Sequence, residues 1–317
     1  MHMGKKTNKT KKQHYVPRVY LKFFCERNKT INVFDKNQVE KFKANINDIA
    51  CKNYFYDVDS NISEDEQIFE KKLSEFESLY EQELKNLFEN LDKFVLKMDK
   101  NFLFKQDFNL SDKTKEYLAI FFLIQHFRTI IVRKTLAQIS EKLYKKLEEF
   151  TGTKPSFEIN DNEIKKSHIK LIFGKLRPLA LYLQNQQWFI LVNNTERPFY
   201  TSDNPAILDR EFCAKDGRGK GIISYGMNFY LPLNPKYQLL IVEKSFYEKE
   251  FIKIRHKVPT VHTISEQSVM YANDLQLQNS YQQIYSNTNK YFFEEKDFCI
   301  ENNINGNPNR PFIRCLS

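Results

Sequence analysis

An apolar run in the middle of the chain is the sequence feature that most constrains the fold. Between Tyr117 and Val132 apolar residues occupy every side of a helix, apart from the polar residues Gln125, His126 and Arg128. A transmembrane helix needs about 20 apolar residues, so this run is too short, and its polar side chains would be costly in lipid. We therefore expect a helix that is buried inside a globular protein.

The composition of the chain is that of a folded protein with one basic end. Of its 317 residues, 41% are hydrophobic and 15% are aromatic, which is enough to form a substantial core. The net charge is +9, and residues 1–12 carry five lysines without an acidic residue. Because no apolar stretch follows them, we interpret these residues as a disordered basic tail rather than a signal peptide. The expected protein is cytoplasmic, with a single domain over residues 13–317.

Cysteine spacing and the lack of several short motifs disfavour a number of protein classes. The five cysteines include no closely spaced pair, which argues against a disulfide framework and a zinc site. The sequence also contains no Walker loop, HExxH, GxSxG or dinucleotide-binding glycine motif. The nucleotide hydrolases, zinc proteases, α/β-hydrolases and dinucleotide oxidoreductases that carry these motifs are therefore disfavoured.

Hydrophobic periodicity predicts helices in the middle of the chain and hairpins at both flanks. The helical pattern predicts helices over residues 63–97, 111–151, 163–183 and 265–287. Alternating patterns predict three hairpins, which pair residues 31–36 with 39–46, 186–193 with 198–202, and 228–235 with 237–244. Connecting turns, or a short helix in the first case, are expected at 45–55 and 215–221. This order predicts an α+β fold, in which a central helical bundle packs on an antiparallel sheet built from hairpins at both flanks.

Three polar side chains in the apolar run are the first candidates for a functional role. Gln125, Arg128 and Thr129 lie three and four residues apart, so they share one face of the expected helix. A buried guanidinium without a partner is costly, so Arg128 requires a carboxylate, backbone carbonyls or an anionic ligand. An internal salt bridge and a phosphate-binding site, to which Thr129 would also contribute, remain open alternatives. We interpret the neighbouring His126 as a core residue.

The segment QHYVPR, residues 13–18, sets a histidine close to a proline. The proline favours an extended start, which a short helix then follows. His14 has a side chain that can act as a general acid or base near neutral pH, and Arg18 is a candidate for substrate binding. The alternative is a structural turn in which His14 forms a hydrogen bond with the backbone.

The segment SDNP, residues 202–205, directly follows a predicted strand. Asp and Asn are turn formers, so a hydrogen bond from side chain to backbone is one interpretation. The other is functional: the Asp203 carboxylate orients His14, pairs with the buried arginine or holds a divalent ion, while Ser202 and Asn204 contact the substrate. The sequence leaves both interpretations open.

These motifs occur in an order that resembles a known bacterial family. The chain carries QHYVPR at 13–18, IQHFRT at 124–129, TSDNP at 201–205 and YLPLNP at 230–235, followed by a predicted helix that contains Asn273. Over residues 13–287 it resembles the family catalogued as domain of unknown function 4238. One departure is Asn234, where the family pattern usually has Ser. The resemblance marks Asn273 as a further substrate-binding candidate.

The resemblance also bears on the target. It implies a free-standing bacterial protein of a kind sometimes encoded near mobile or defence-related genes, which favours a nucleic-acid or nucleotide target. A membrane partner is not expected from the sequence.

Three hypotheses follow from these residues. In the first, the chain is a nuclease or another phosphodiester-cleaving enzyme, which acts as a bacterial defence or toxin effector. His14 would be the general acid or base, with Asp203 orienting it or binding a divalent metal; Arg128 and Gln125 would hold the phosphate. In the second, the same pocket binds a nucleotide or nucleic acid without turnover, as a sensor. In the third, the motifs are structural, and Arg128 pairs internally with Asp203.

Overall fold

The structure, a computed structural model, describes residues 11–58, 68–100, 107–157, 159–210, 221–250 and 259–301. The helices in these segments are α1 (Arg18–Leu21), α2 (Ile68–Lys100), α3 (Asp112–Phe127), α4 (Ile130–Thr151), α5 (Asp161–Gly174), α6 (Leu176–Gln184), α7 (Lys244–Glu250), α8 (Glu266–Asn279) and α9 (Phe292–Glu301). The strands are β1 (Lys12–His14), β2 (Thr30–Asp35), β3 (Glu40–Asn45), β4 (Cys51–Asn53), β5 (Gln187–Asn193), β6 (Thr201–Ser202), β7 (Ile207–Asp209), β8 (Asn228–Pro232), β9 (Tyr237–Val242), β10 (Val261–Ile264) and β11 (Gln283–Ser286).

Helix α3 is buried on every side over residues 118–127, as the apolar sequence there predicts. The side chains of Phe121, Phe122 and Leu123, three consecutive residues that point in different directions, are all fully buried. Helices α2, α5 and α6 contact α3. Its apolar residues also belong to the same cluster as those of strands β5, β8 and β9. The protein is therefore built around a helix that is surrounded by other elements.

The strands form two larger sheets and one small pair. In the first sheet the order is β10-β5-β9-β8-β7, and the neighbours are antiparallel except for the parallel pair β10 and β5. In the second sheet the order is β3-β2-β11-β6, antiparallel throughout. Strands β1 and β4 form a separate antiparallel pair. The predicted α+β class, with mainly antiparallel pairing, is confirmed.

Both faces of the five-stranded sheet are covered, and strand β5 illustrates the alternation. Trp188, Ile190 and Val192 contribute to the cluster that contains α3. Phe189 and Leu191, between them in sequence, contribute to a second cluster with residues of α7 and α8. Because successive side chains of a strand point to opposite faces, this continuous apolar run serves two cores.

Two of the three predicted hairpins are confirmed and one is wrong. Strands β2 and β3 pair in the first, and β8 and β9 pair in the third. The second was expected to join β5 to residues 198–202, but those residues contribute only the short strand β6, which pairs with β11 in the other sheet. Both edges of β5 are already occupied by β9 and β10, so no ladder position remained for β6.

The helix predicted over residues 111–151 is two helices. Its ends are as expected, because Ser111 caps α3 and Gly152, in the left-handed conformation at φ 66°, ends α4. In the middle, Thr129 is extended at ψ 162°, so the chain changes direction between α3 and α4. The side chain of His168 donates to the carbonyl oxygen of Phe127 at 2.6 Å. In a continuous helix this carbonyl would accept from a backbone N–H of the next turn, so His168 replaces a bond that is lost at the break.

Further boundaries differ from the predicted ones for local reasons. The helix expected over 163–183 breaks at Lys175, and Pro178 lies in the first turn of α6, where its missing N–H costs no intrahelical bond. The last predicted helix ends at Asn279, and β11 follows it. The connection at 45–55 includes the strand β4.

Some expectations fall outside the described residues. These are residues 1–10 of the predicted tail, residues 63–67 at the predicted start of α2, and residues 215–220 of the glycine-bearing turn. Lys12, the last residue assigned to the tail, belongs to β1 and pairs with Asn53. In the described ranges no helix combines the length and apolar character that crossing a membrane requires.

A polar contact joins the helical layer to the five-stranded sheet. The hydroxyl of Tyr237 on β9 donates to Asp92 of α2 at 2.5 Å, and Lys236 donates to the same carboxylate at 2.7 Å. The ring of Tyr237 also stacks on Phe88, one helical turn from Asp92. Tyr237 thus fixes the position of α2 on the sheet through one ring and one hydroxyl.

Replacing Tyr237 by Phe should lower the free energy of unfolding by about 1 to 2 kcal/mol, because it removes the hydroxyl and keeps the ring. Urea denaturation followed by circular dichroism measures the change. The matched control is Tyr54→Phe at an exposed tyrosine, for which we expect a change of less than about 0.5 kcal/mol. Equal effects in the two variants would contradict the role of the Tyr237 hydroxyl.

Candidate functional site

The β1 segment presents His14 in a defined orientation. His14 is buried, and its Nε2–H donates to the carbonyl oxygen of Ile46 at 3.2 Å. This bond selects the neutral tautomer in which Nδ1 carries a lone pair. In the described part of the chain no hydrogen bond is made by Nδ1. Nδ1 is therefore the atom of His14 that is able to accept a proton from a ligand.

Gln13, beside His14 in the chain, binds an acidic residue, Asp57. Its Oε1 accepts a hydrogen bond from the backbone N–H of Tyr56 at 2.6 Å, and its Nε2 donates to Asp57 at 2.5 Å. Gln13 has no exposed surface. This buried amide therefore ties β1 to the segment after β4 and fixes the Asp57 carboxylate.

Arg128 is held entirely by groups of the protein. It is 1% exposed; Nη1 donates to Glu77 of α2 at 2.7 Å, Nε to the hydroxyl of Tyr56 at 3.2 Å, and Nη2 to the carbonyl oxygen of His14 at 2.5 Å. Of the alternatives left open by the sequence, the geometry supports the internal salt bridge. The carboxylate partner is Glu77, so the expected ion pair with Asp203 is wrong.

Glu70 of α2 is an acid with an unusual environment. Burial raises its pKa to about 6; Glu77 and Asp57 act in the same direction, whereas the positive charges of Arg128 and Arg18 oppose them. Its Oε2 is buried and has no hydrogen-bond partner among the described residues. A carboxyl group in this state retains a proton closer to neutral pH than an ordinary glutamate does.

The same two arginines act on His14. Burial lowers the pKa of His14 to about 4, and the charges of Arg18, Arg128 and Lys12 contribute to the shift. His14 is therefore neutral near pH 7. Arg18 itself is exposed at the start of α1, where it donates to Asn47 at 3.3 Å.

We refer to these residues together as the His14 cluster: His14, Arg18, Asp57, Glu70, Glu77 and Arg128. Arg18 and Arg128 each act electrostatically on both His14 and Glu70, so the four groups lie within the range of charge interactions. The cluster combines a neutral imidazole that has a free lone pair, a carboxyl group with a raised pKa and an exposed guanidinium. These are the components of general acid–base chemistry on an anionic substrate.

The sequence interpretation missed the three acidic members of the cluster. Glu70 and Glu77 are separated by seven residues, which is two turns of α2, so both lie on one side of the helix. Each lies three residues before a buried residue of the same helix: Glu70 before Leu73, and Glu77 before Tyr80. This spacing, next to the buried apolar residues of α2, could have indicated from the sequence that the two glutamates face the interior together. Asp57 has no such sequence pattern, because only the tertiary contact with Gln13 brings it to the site.

A second, half-buried arginine, Arg133, contacts residues next to the site. Arg133 of α4 donates from Nε and Nη2 to Nδ1 of His168 at 3.1 and 2.9 Å, and from Nη1 to the carbonyl oxygen of Phe55 at 2.6 Å. Its guanidinium lies 3.7 Å from the centre of the Phe55 ring. Burial lowers the pKa of His168 to about 3, with a contribution from the charge of Arg133. His168 is therefore a neutral structural link between α4, α5 and the end of α3.

Asp203 is bound by backbone groups of a turn. Its carboxylate accepts hydrogen bonds from the N–H groups of Tyr281, Gln282 and Gln283 at 2.7, 2.7 and 2.9 Å. Burial raises the pKa of Asp203 to about 6, against the three N–H groups and the charge of Lys36, which favour the ionised form. The sequence interpretation placed a bond from side chain to backbone within the SDNP turn, but Asp203 instead bonds to the turn between α8 and β11 and holds the chain there.

The other candidates near Asp203 connect α8 to its surroundings. Ser202 donates to Gln276 at 2.7 Å and accepts from the N–H of Asn204, whose own side chain donates to the last carbonyl of α8. Asn273 accepts from the backbone N–H of Tyr200 at 2.8 Å and donates to the carbonyl of Pro198 at 3.0 Å. Each of these polar groups is used within the protein.

Gln125 and Thr129 do not form one face with Arg128, because α3 ends between them. Gln125 is fully buried, and neither atom of its amide group has a hydrogen-bond partner in the described ranges. Thr129 is buried and donates weakly to the carbonyl of His126 at 3.5 Å. The expected facet of three residues on one helix is therefore wrong, and among the described residues no hydrogen bond joins Gln125 or Thr129 to His14 or Asp203.

The structure brings together some of the predicted site residues and separates others. His14, Arg18 and Arg128 belong to one cluster, while Asp203 and Gln125 make no hydrogen bond to any of its members. Asp203 acts electrostatically on Tyr15, which follows His14 in the chain. Within the described ranges, no group of three or more His, Cys, Asp or Glu residues has the arrangement of a metal site. The catalytic and substrate-binding roles of the candidates remain predictions.

Comparison with known proteins identifies a family for this chain. A family model described as "Protein of unknown function (DUF4238)" matches residues 12–290, which is most of the chain. No curated protein and no solved structure matches the sequence.

Replacing Arg128 by Ala should lower the free energy of unfolding by about 3 to 5 kcal/mol, because the half-buried Glu77 and the buried carbonyl of His14 would lose their partner. Urea denaturation measures the loss. Arg18→Ala, at an exposed position of the same cluster, is the matched control and should cost less than about 0.5 kcal/mol. An Arg128→Ala protein as stable as the unsubstituted one would contradict the ion pair.

The neutral state of His168 makes stability depend on pH. Its folded-state pKa of about 3 lies below the ordinary value of 6.5, so the unfolded chain binds the proton first. The stabilising contribution is complete above pH 6.5 and is lost as the pH falls towards 3. Between pH 6.5 and pH 4 this loss amounts to about 3 kcal/mol.

Replacing His168 by Gln, which keeps a donor and an acceptor, should remove this pH dependence. The unsubstituted protein should lose about 3 kcal/mol more stability than the variant between pH 6.5 and pH 4. His14 titrates in the same direction in both proteins, so its contribution cancels in the comparison. If the curves of unfolding free energy against pH are parallel for the two proteins, His168 has the same pKa in the folded and unfolded states, and its assignment as a neutral residue is wrong.

Proposed function

The chain belongs to the family of unknown function DUF4238, and we propose that it cleaves phosphodiester bonds of RNA at the His14 cluster. The observation that carries the proposal is Glu70, whose buried Oε2 has no partner among the described residues and whose pKa is raised to about 6. Strongly perturbed acids that lie among charged groups are concentrated at catalytic sites.

Arg18 supports a phosphate-bearing substrate. It is exposed, and its charge lowers the pKa of both His14 and Glu70. Among the described residues, one neutral amide, that of Asn47, accepts a hydrogen bond from it. Arg128 adds a permanent positive charge behind the site. A phosphodiester bound at Arg18 would therefore lie within reach of an acid and a base.

The proposed reaction uses the 2′-hydroxyl group of the RNA as its nucleophile. Nδ1 of His14 accepts the hydroxyl proton, the 2′-oxygen forms a bond to phosphorus, and the bond from phosphorus to the 5′-oxygen breaks. Glu70 donates its proton to the departing 5′-oxygen. The products are a 2′,3′-cyclic phosphate and a free 5′-hydroxyl group, and the charge that develops on the phosphoryl oxygens is stabilised by Arg18.

RNA is the favoured substrate because its own hydroxyl group completes the set of reacting groups. The site would act in the cytoplasm, where RNA cleavage stops growth, so the proposal includes a role as a toxin or defence effector. The divalent ion considered from the sequence is not required for this sequence of proton transfers.

A second function, binding a nucleotide without turnover, is favoured by one observation. The pKa of His14, about 4, makes it a weak base until a bound anion offsets the charges of Arg18 and Arg128. The same cluster would then capture an anionic ligand as a sensor. Thermal stabilisation by nucleotides without any RNA cleavage would identify this second function.

The active form of the proposed enzyme has neutral His14 and protonated Glu70. With pKa values of about 4 and about 6, kcat/KM should follow a bell-shaped profile with its maximum between these values. Bound phosphate raises both pKa values, so the profile of kcat should lie at higher pH. Cleavage of a dinucleotide such as UpA, followed by chromatography of the cyclic phosphate, measures both profiles.

Glu70→Gln should reduce kcat about 100-fold or more and remove the alkaline limb of the profile, because the amide cannot donate the proton. Glu75→Gln, at an exposed glutamate of the same helix, is the matched control and should retain full activity. His14→Gln should remove the acid limb together with the activity while the folding transition persists. Full activity of Glu70→Gln, or no RNA cleavage by the unsubstituted protein from pH 4 to pH 8, would overturn the proposal.

A further inference from the structure

Helix α4 carries an apolar face that is exposed in the part of the chain that the structure describes. One side of its second half faces α5 and the segment before it, where Tyr144 packs edge-on against Phe157 at 5.6 Å between ring centres. A different side presents Ile139, Leu143 and Phe150, which are 41%, 53% and 90% exposed. At 100° per residue these three lie about 100° to 140° around the helix from Tyr144. The exposed face is thus separate from the intramolecular contact.

The spacing of this face is that of a coiled-coil seam. The residues Leu136, Ile139, Leu143 and Phe150 follow one another at intervals of three, four and seven. In a heptad pattern these are alternating core positions, and Lys146 occupies the core position between Leu143 and Phe150. A single lysine at such a position is tolerated because its aliphatic stem covers apolar surface while its ammonium group reaches solvent.

We infer that this face of α4 is an interface between two copies of the chain, with the two α4 helices antiparallel. The charges beside the seam carry the argument. Lys142 and Glu149 each precede a core residue, so they lie on the same edge of the seam, and both are exposed. In an antiparallel pair the twofold axis brings Lys142 opposite Glu149 of the second copy, and the converse pair forms as well.

The same register fits the core positions. It sets Phe150 against Ile139 of the second copy, and Leu143 against the stem of Lys146 of the second copy. A parallel arrangement would instead set Lys142 against Leu147 of the second copy, with no ion pair. Charge complementarity therefore favours the antiparallel dimer over the parallel one.

The interface is short, and we expect a dissociation constant in the micromolar range. Sedimentation velocity over about 1 to 200 μM should show the monomer at the lowest concentration and the dimer at the highest. Phe150→Ser should leave a monomer throughout. These experiments use the full chain, and circular dichroism verifies that each variant keeps its helical content.

A charge exchange separates this geometry from any other association. Lys142→Glu and Glu149→Lys should each weaken the dimer about fivefold or more, because each creates two like-charge contacts. The double variant should restore the affinity to within about twofold of the original. Lys145→Glu makes the same charge change on another side of α4 and should have no effect. A chain that is monomeric at every concentration, or a double variant that is no tighter than the single ones, overturns the proposal.

Discussion

The burial of Arg128 is the constraint on which the arrangement of this protein depends. The guanidinium of Arg128 is 1% exposed, and the partners of its three hydrogen bonds come from three separate parts of the chain: Glu77, Tyr56 and the carbonyl of His14. Each of them must be brought to the end of α3 before the charge is satisfied. The contact therefore fixes β1, the segment after β4, and α2 relative to the central helix.

Buried charges also fix the chain around α8 and β11, where their partners are backbone groups rather than an opposite charge. Lys36 is almost fully buried, and its ammonium group donates to the carbonyls of Leu277 and Ser280 at 2.9 and 2.7 Å. Asp203 accepts from three consecutive N–H groups just beyond them. These two opposite charges bind the end of α8 and the turn that follows, which aligns β11 between β2 and β6. Charged side chains thus act here as connectors where the ladders and helices leave backbone groups unpaired.

The residues of the proposed activity lie next to the ion pair of Arg128 and Glu77. Glu77 satisfies Arg128, but its negative charge and that of Asp57 lie beside Glu70 and disfavour ionisation there. The positive charges that act on Glu70 also act on His14 and keep its imidazole neutral. One set of structural charges therefore prepares a proton donor and a proton acceptor, and Arg18 is exposed beside both. Helix α4 starts at this site and extends to the apolar face that we assign to a second copy.

The sequence determined the class of the fold, the buried central helix, the β2–β3 and β8–β9 hairpins, and the need of Arg128 for a partner. These follow from local periodicity, capping and the cost of burying charge, all of which a single sequence expresses. The tertiary structure decided where helix 111–151 breaks, because His168 and Tyr56 supply bonds at the break that local sequence does not reveal. It also decided that Glu77 rather than Asp203 pairs with Arg128, and that Glu70 and Asp57 join His14. Which carboxylate meets which charge depends on long-range packing, and for that reason the site was predicted only in part.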